Sequence, residues 1–141
     1  MFEVLVATVI VKDNKVLMVK ETKEEVKGLL NLPAGHLEKN ETLIEGALRE
    51  IKEETGMEAN ITSFIDTQYF TRKEKNYVAF VFQGELIKNN NNTNNELDFD
   101  FYDIEYLKEN KKVLRNEKLI ITALNKINTG NRESIDILNT K

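Results

Sequence analysis

The chain has 141 residues, 40% apolar and 31% charged, a balance that predicts one domain with a single sizeable core and excludes a disordered or fibrous chain. Its 20 basic and 24 acidic side chains leave a net charge of -4, which supplies no positive field for following a nucleic-acid backbone, so no nucleic-acid partner is expected. The absence of cysteine excludes disulfides, thiolate metal sites and a cysteine nucleophile.

The opening stretch, MFEVLVATVIVKDNK, is apolar but has no basic leader and is interrupted by Lys12, Asp13 and Asn14, so it reads as a strand and turn rather than a signal peptide. No apolar run approaches the roughly 18 residues of a membrane span. A cytoplasmic location with no membrane partner is therefore expected. Residues 3–11 are rich in β-branched side chains and suit a buried strand; Asp13-Asn14 is turn chemistry, and 16–19 is its hairpin partner. A charged loop (21–28) leads into LLNLPAG, where Pro33 and Gly35 break regular structure. From Thr42 to Thr55 the pattern is helical. Thr42 and Glu45 form a Thr-x-x-Glu capping signature, and Gly56 stands where a helix C-terminal glycine belongs. Residues 60–70 and 77–87 read as two further strands. The low-complexity run 89–96 reads as an exposed loop, and 99–107 as a strand running into a short helix. Residues 114–127 have helical spacing, and 130–141 reads as a loosely held tail. Strands and helices mixed at this length predict one α/β sandwich domain over residues 1–141.

Placed on a helix, residues 43–57 separate into faces. Ile44, Ala47, Leu48 and Ile51 share the side that should meet the sheet, while Glu45, Arg49 and Lys52 fall toward solvent. Glu50, Glu53 and Glu54 are neighbours at i, i+3 and i+4, and each like-charge pair destabilises a helix by roughly a few tenths of a kcal/mol. A hard divalent cation held by several oxygens offsets that repulsion, and Mg²⁺ favours a few carboxylates together with substrate phosphates. An isolated ExxEE is more often a solvated acidic face.

The surrounding residues go further. Gly35, Glu41, Arg49, Glu50, Ile51, Glu53, Glu54, Gly56 and Met57 fill every position of G-x5-E-x7-R-E-U-x-E-E-x-G-U, where U is bulky and aliphatic. The chain thus resembles the Nudix family. That resemblance implies an α/β/α sandwich with a mixed sheet and a box helix. It implies Mg²⁺, with Mn²⁺ as a substitute, and water attack at phosphorus in a small nucleotide or pyrophosphate substrate. By the same resemblance Glu53 and Glu54 ligate the metal, and Glu50 ligates it or helps to position and deprotonate water. The carbonyl of Ala34 completes the shell, and Arg49 orients the carboxylates with Glu41 as its partner. Gly35 and Gly56 shape the backbone at either end. The resemblance allows a homodimer without marking an interface.

A further acid often comes from a distant loop in the family; Glu96 ranks ahead of Asp98 and Asp100, against the reading that all three are ordinary loop acids. His36, the single histidine, either faces substrate phosphate or only shapes its loop. Of the strand aromatics, Tyr69 and Phe70 are the better candidates for stacking on a substrate ring, and core packing is the competing role. The stretch LPAGHLEKNETLIEGALREIKEETG is similar to bacterial Nudix phosphatases that release orthophosphate from nucleoside tri- and diphosphates and from a thiamine-pyrimidine pyrophosphate. Leu30 stands where those relatives usually have Trp. A nucleoside triphosphate pyrophosphatase is the runner-up, and a non-catalytic nucleotide-binding module is disfavoured because every box acid is present.

Overall fold

The computed structural model describes residues 1–87 and 94–129, with the backbone of 133–134. The expected exposed loop at 89–96 lies mostly outside the described residues, although Asn94, Asn95 and Glu96 are exposed. The expected tail at 130–141 lies outside them too, apart from Glu133–Ser134. No helix among the described residues is long and apolar enough to cross a membrane.

β1 (Phe2–Lys12) and β2 (Lys15–Lys20) form the expected hairpin. Its turn residues Asp13 and Asn14 both take left-handed backbone, φ 54° and 63°, whose twist matches that of the flanking strands. β3 (Leu30–Asn31) pairs with β2, and β4 (Ala34–His36) pairs with β1, placing Gly35 opposite Val6. α1 (Leu43–Thr55) follows. β5 (Ala59–Arg72) and β6 (Lys75–Leu86) make a second, longer hairpin. β7 (Phe99–Asp103) runs into α2 (Ile104–Glu109), the strand-to-helix passage expected from 99–107. α3 (Glu117–Thr129) begins three residues later than the apolar spacing suggested. Leu114 is buried, yet its backbone is extended and bridges to Leu30. Apolar spacing reports burial, and an irregular segment can bury a leucine as well as a helix does. β8 (Glu133–Ser134) pairs with β5.

Among the described residues the sheet runs β3-β2-β1-β6-β5-β8, with β4 on β1 and β7 on β2. β1 and β6 are parallel from Phe2 opposite Asn76 to Ile10 opposite Gly84, while the other pairs are antiparallel. β1 is therefore central and covered on both sides, which is why it reads as an unbroken apolar run. Alternate side chains serve opposite layers. Val6, Ile10 and Leu17 meet Ala47 and Ile51 of α1, whereas Val9, Val16 and Met18 meet Leu107, Ile120 and Leu124 of α2 and α3. The result is the expected α/β/α sandwich. Ile51 is fully buried, a contribution of roughly 1.5–3 kcal/mol, and it clamps the acidic face of α1 beside β4.

Candidate active site

The site begins with how α1 is held. Thr42 Oγ1 accepts from the Glu45 N–H at 3.1 Å, and Glu45 Oε1 accepts from the Thr42 N–H at 2.9 Å, so both halves of the capping box are present. At the other end Gly56 turns left-handed, φ 76°, and its N–H donates to the Lys52 carbonyl at 2.8 Å. The register of the acidic residues is thereby fixed at both ends.

Arg49 departs from the position that helix geometry alone suggested. Its side chain is only 19% exposed and folds back over the carboxylates instead of reaching solvent. Nε donates to Glu41 Oε2, and Nη2 donates to Glu41 Oε1 at 3.1 Å and to the His36 carbonyl at 2.9 Å. Nη1 donates to Glu50 Oε2 at 2.9 Å and to Glu53 Oε1 at 3.2 Å. One guanidinium thus ties the loop before α1 to two of its acids. The hydrogen bond from Arg49 holds the Glu41 carboxyl below its ordinary value, and the same bond raises the guanidinium.

Gly35 lies against Glu50. A Cβ at this position would overlap the Glu50 carboxylate, so the glycine provides space rather than an unusual backbone angle. Burial raises the Glu50 carboxyl, with Arg49 opposing the rise. Glu54 accepts from the Ala34 N–H at 3.2 Å, and burial, reinforced by Glu50 beside it, pushes its carboxyl up to about 9. The described contact at Ala34 is thus made by its N–H. Glu53 is 43% exposed and faces Arg49. Among the described residues no three acidic or histidine side chains surround a common point as they stand. The oxygen donors nonetheless fit a hard cation. Glu50 is buried and Glu54 half-buried beside it, and Glu54 has no cation of its own among the described residues.

Of these acids Glu54 lines a cleft of about 520 Å³, with Ala34 beside it. Glu96 lines it beside Glu54, because the Glu96 and Leu97 N–H groups donate to the Glu53 and Glu54 carbonyls at 3.1 Å each. Asp98 is exposed just before β7 and Asp100 is exposed within it. His36 lines the cleft, with Nε2 3.5 Å from Glu3 Oε1. Tyr69 does not line it: the ring is 73% exposed and packs edge-on to Phe2 at 5.9 Å. Phe70 stacks at 5.1 Å on Tyr77, and Tyr77 is the aromatic that faces the cleft. Strand alternation explains the exchange, since Phe70 and Tyr77 are cross-strand partners on the face away from Tyr69. Leu30 belongs to the core.

Sequence reasoning also missed another part of the cleft's lining. Glu21 accepts from Asn31 Nδ2 and from Arg115 Nη1, both at 2.9 Å, and Arg72 and Asn116 stand beside them. Glu21 and Arg115 are 94 residues apart, and no local pattern could have joined them.

Comparisons with known proteins agree with this architecture. The family model described as NUDIX domain matches residues 1–122. Phosphatase NudJ of Escherichia coli K12 is 44% identical over 84 residues, which are 59% of this chain and 54% of that protein, so the match spans about half the length of the curated relatives. A NUDIX hydrolase structure from Nitrosomonas europaea superposes with a TM-score of 0.90 at 27% identity, covering 100% of this chain and 98% of the other. A structure of a UDP-X diphosphatase superposes with a TM-score of 0.74 at 26% identity, covering 95% of this chain and 66% of the other. With the box complete on a capped helix and the family model spanning most of the sequence, the chain belongs to the Nudix family.

Proposed function

We propose that this protein is a Mg²⁺-dependent hydrolase of phosphoanhydride bonds, acting on nucleoside di- or triphosphates or related pyrophosphates by attack of water at phosphorus. The observation that carries the reading is Glu54, half-buried beside the buried Glu50, lining the same cleft as Arg72 and Arg115. Acids alone would repel a polyphosphate; acids sharing a cleft with guanidinium groups suit a cation and phosphate oxygens together.

Glu50, Glu53 and Glu54 are the residues that would hold the ion, with Ala34 beside them. When bound, Mg²⁺ supplies positive charge against the phosphate oxygens. The remaining work falls to the chain. Arg49 fixes the directions of Glu50 and Glu53 through one nitrogen, so neither carboxylate swings freely. Glu50, buried and raised, is a carboxyl able to take a proton from the attacking water. Glu96 lines the cleft and is a second candidate for that proton.

Orthophosphate release, as the name of the NudJ relative suggests, is preferred to pyrophosphate release. The test is product analysis with Mg²⁺ over nucleoside tri- and diphosphates, ADP-ribose, dinucleoside polyphosphates and thiamine-pathway pyrophosphates. Orthophosphate from several substrates supports the proposal. Pyrophosphate plus a monophosphate from triphosphates moves the protein to the pyrophosphatase reading. Nucleotide binding without turnover under any metal would leave a non-catalytic module.

A further inference from the structure

The basic wall of the cleft is not explained by the Nudix box. Arg72 ends β5, Lys73 sits in the β5–β6 turn, and Arg115 and Asn116 precede α3. Two of these cations are engaged. Arg115 Nη1 donates to Glu21 at 2.9 Å, and Lys73 Nζ lies 3.1 Å from Glu25. Arg72 differs. Its Nη2 donates to Asn116 Oδ1, its guanidinium lies 5.2 Å from the centroid of the Phe70 ring, and among the described residues no carboxylate pairs with it. An amide oxygen and a ring face orient the charge without neutralising it.

Its surroundings increase the imbalance. Burial and the neighbouring Arg115 charge push the Arg72 guanidinium below its ordinary value. The nearby carboxylate, Glu21, is shared by Arg115 and Asn31. Phe70 in turn stacks on Tyr77, 15° from parallel, so the guanidinium rests on a two-ring stack whose far member faces the cleft. A half-buried guanidinium with a second guanidinium beside it, and no carboxylate paired with it among the described residues beyond the more distant attraction of Glu21, is suited to a planar or tetrahedral oxyanion.

We propose that Arg72, oriented by Asn116 and the Phe70 ring and backed by Arg115, receives a terminal phosphoryl group of the substrate and makes the cleft select pyrophosphates with one free end over diphosphates capped at both ends. The inference rests on the phosphoanhydride reading of the cleft. A free phosphoryl end brings up to two negative charges and three acceptor oxygens to the guanidinium pair. A sugar-capped end brings hydroxyl groups, which leave the charge of Arg72 unbalanced. If Arg72 only pinned the start of α3 through Asn116, its loss would lower stability and weaken every ligand equally.

The full-length chain would be titrated calorimetrically with ADP and, separately, with ADP-ribose in the presence of Ca²⁺ in place of Mg²⁺, using wild type, Arg72→Ala and Arg72→Lys, with thermal unfolding recorded for each. Wild type should bind ADP more tightly than ADP-ribose. Arg72→Ala should weaken ADP by at least about tenfold and ADP-ribose by less than about threefold, and Arg72→Lys should recover part of the loss. Equal weakening of both ligands, an unchanged ADP affinity in Arg72→Ala, or a wild type that does not prefer ADP would overturn the proposal. A parallel Mg²⁺ turnover assay separates the two levels. A wild type that binds ADP through Arg72 but hydrolyses nothing sinks the hydrolase reading and leaves this subsite standing.

Discussion

Arg49→Ala offers the most direct physical test of how the acidic face of α1 is held. The substitution removes the shared partner of Glu41, Glu50 and Glu53, and the side chains of Glu41 and Glu50 are only 15% and 12% exposed. Removing one member of a buried ion pair costs about 3–5 kcal/mol, because the remaining charge stays behind without compensation. Arg49 is itself 19% exposed and water can relax into the space, so about 2–4 kcal/mol is expected here. For a chain of this length that is a fall in Tm of about 5–15 °C. Arg49→Lys should lie between, since a lysine keeps the charge but not the fork that reaches Glu41 and Glu50 together. The gap between wild type and Arg49→Ala also depends on pH. A carboxyl lowered in the folded state, as Glu41 is by Arg49, contributes stability that is present above its unfolded value near 4.5 and is lost as pH falls through the folded value. The gap is therefore largest near neutral pH and shrinks below about pH 4. Urea unfolding in EDTA at both pH values is the assay. A neutral-pH loss under about 0.5 kcal/mol, or a gap that does not narrow in acid, would show that Arg49 does not hold these carboxylates.

Two further outcomes follow from the same geometry. Gly35→Ala places a methyl group where the Glu50 carboxylate lies, and displacing that carboxylate should lower kcat by about a hundredfold; wild-type kcat in this variant would show that the contact does not position Glu50. Glu54, raised to about 9, holds a proton near neutral pH without metal, so Mg²⁺ binding at about pH 7.5 should release about one proton. Calorimetry in two buffers of different ionisation enthalpy reads this directly, and a binding enthalpy independent of buffer would contradict it.

The parts of the site that sequence reasoning reached are those whose chemistry is local. Thr42, Glu45 and Gly56 act within a few residues of themselves, and each stands in the role its type suggests. Asp13-Asn14 was readable for the same reason. The β5–β6 turn was not: Lys73 and Glu74 adopt φ 50° and 66° without being residues that favour left-handed backbone, held there by the long ladder on either side. A helical wheel placed Arg49 in solvent because it records where Cβ points, not where a long side chain ends once Glu41 and Glu50 attract it. The basic wall was out of reach altogether, since Arg72, Arg115 and Glu21 come together only when β5, β2 and the start of α3 converge.

Glu54→Gln tests, with the smallest change of shape, the proposal that the box carboxylates run metal-dependent hydrolysis. Orthophosphate release from ADP would be measured with Mg²⁺ for wild type and variant, with unfolding recorded without metal to show that both are folded. Wild-type turnover that EDTA abolishes is expected, with a loss of at least about a hundredfold in the folded variant, which is about 2.7 kcal/mol in the barrier. Turnover in Glu54→Gln within about threefold of wild type, or turnover that survives EDTA, would contradict that proposal.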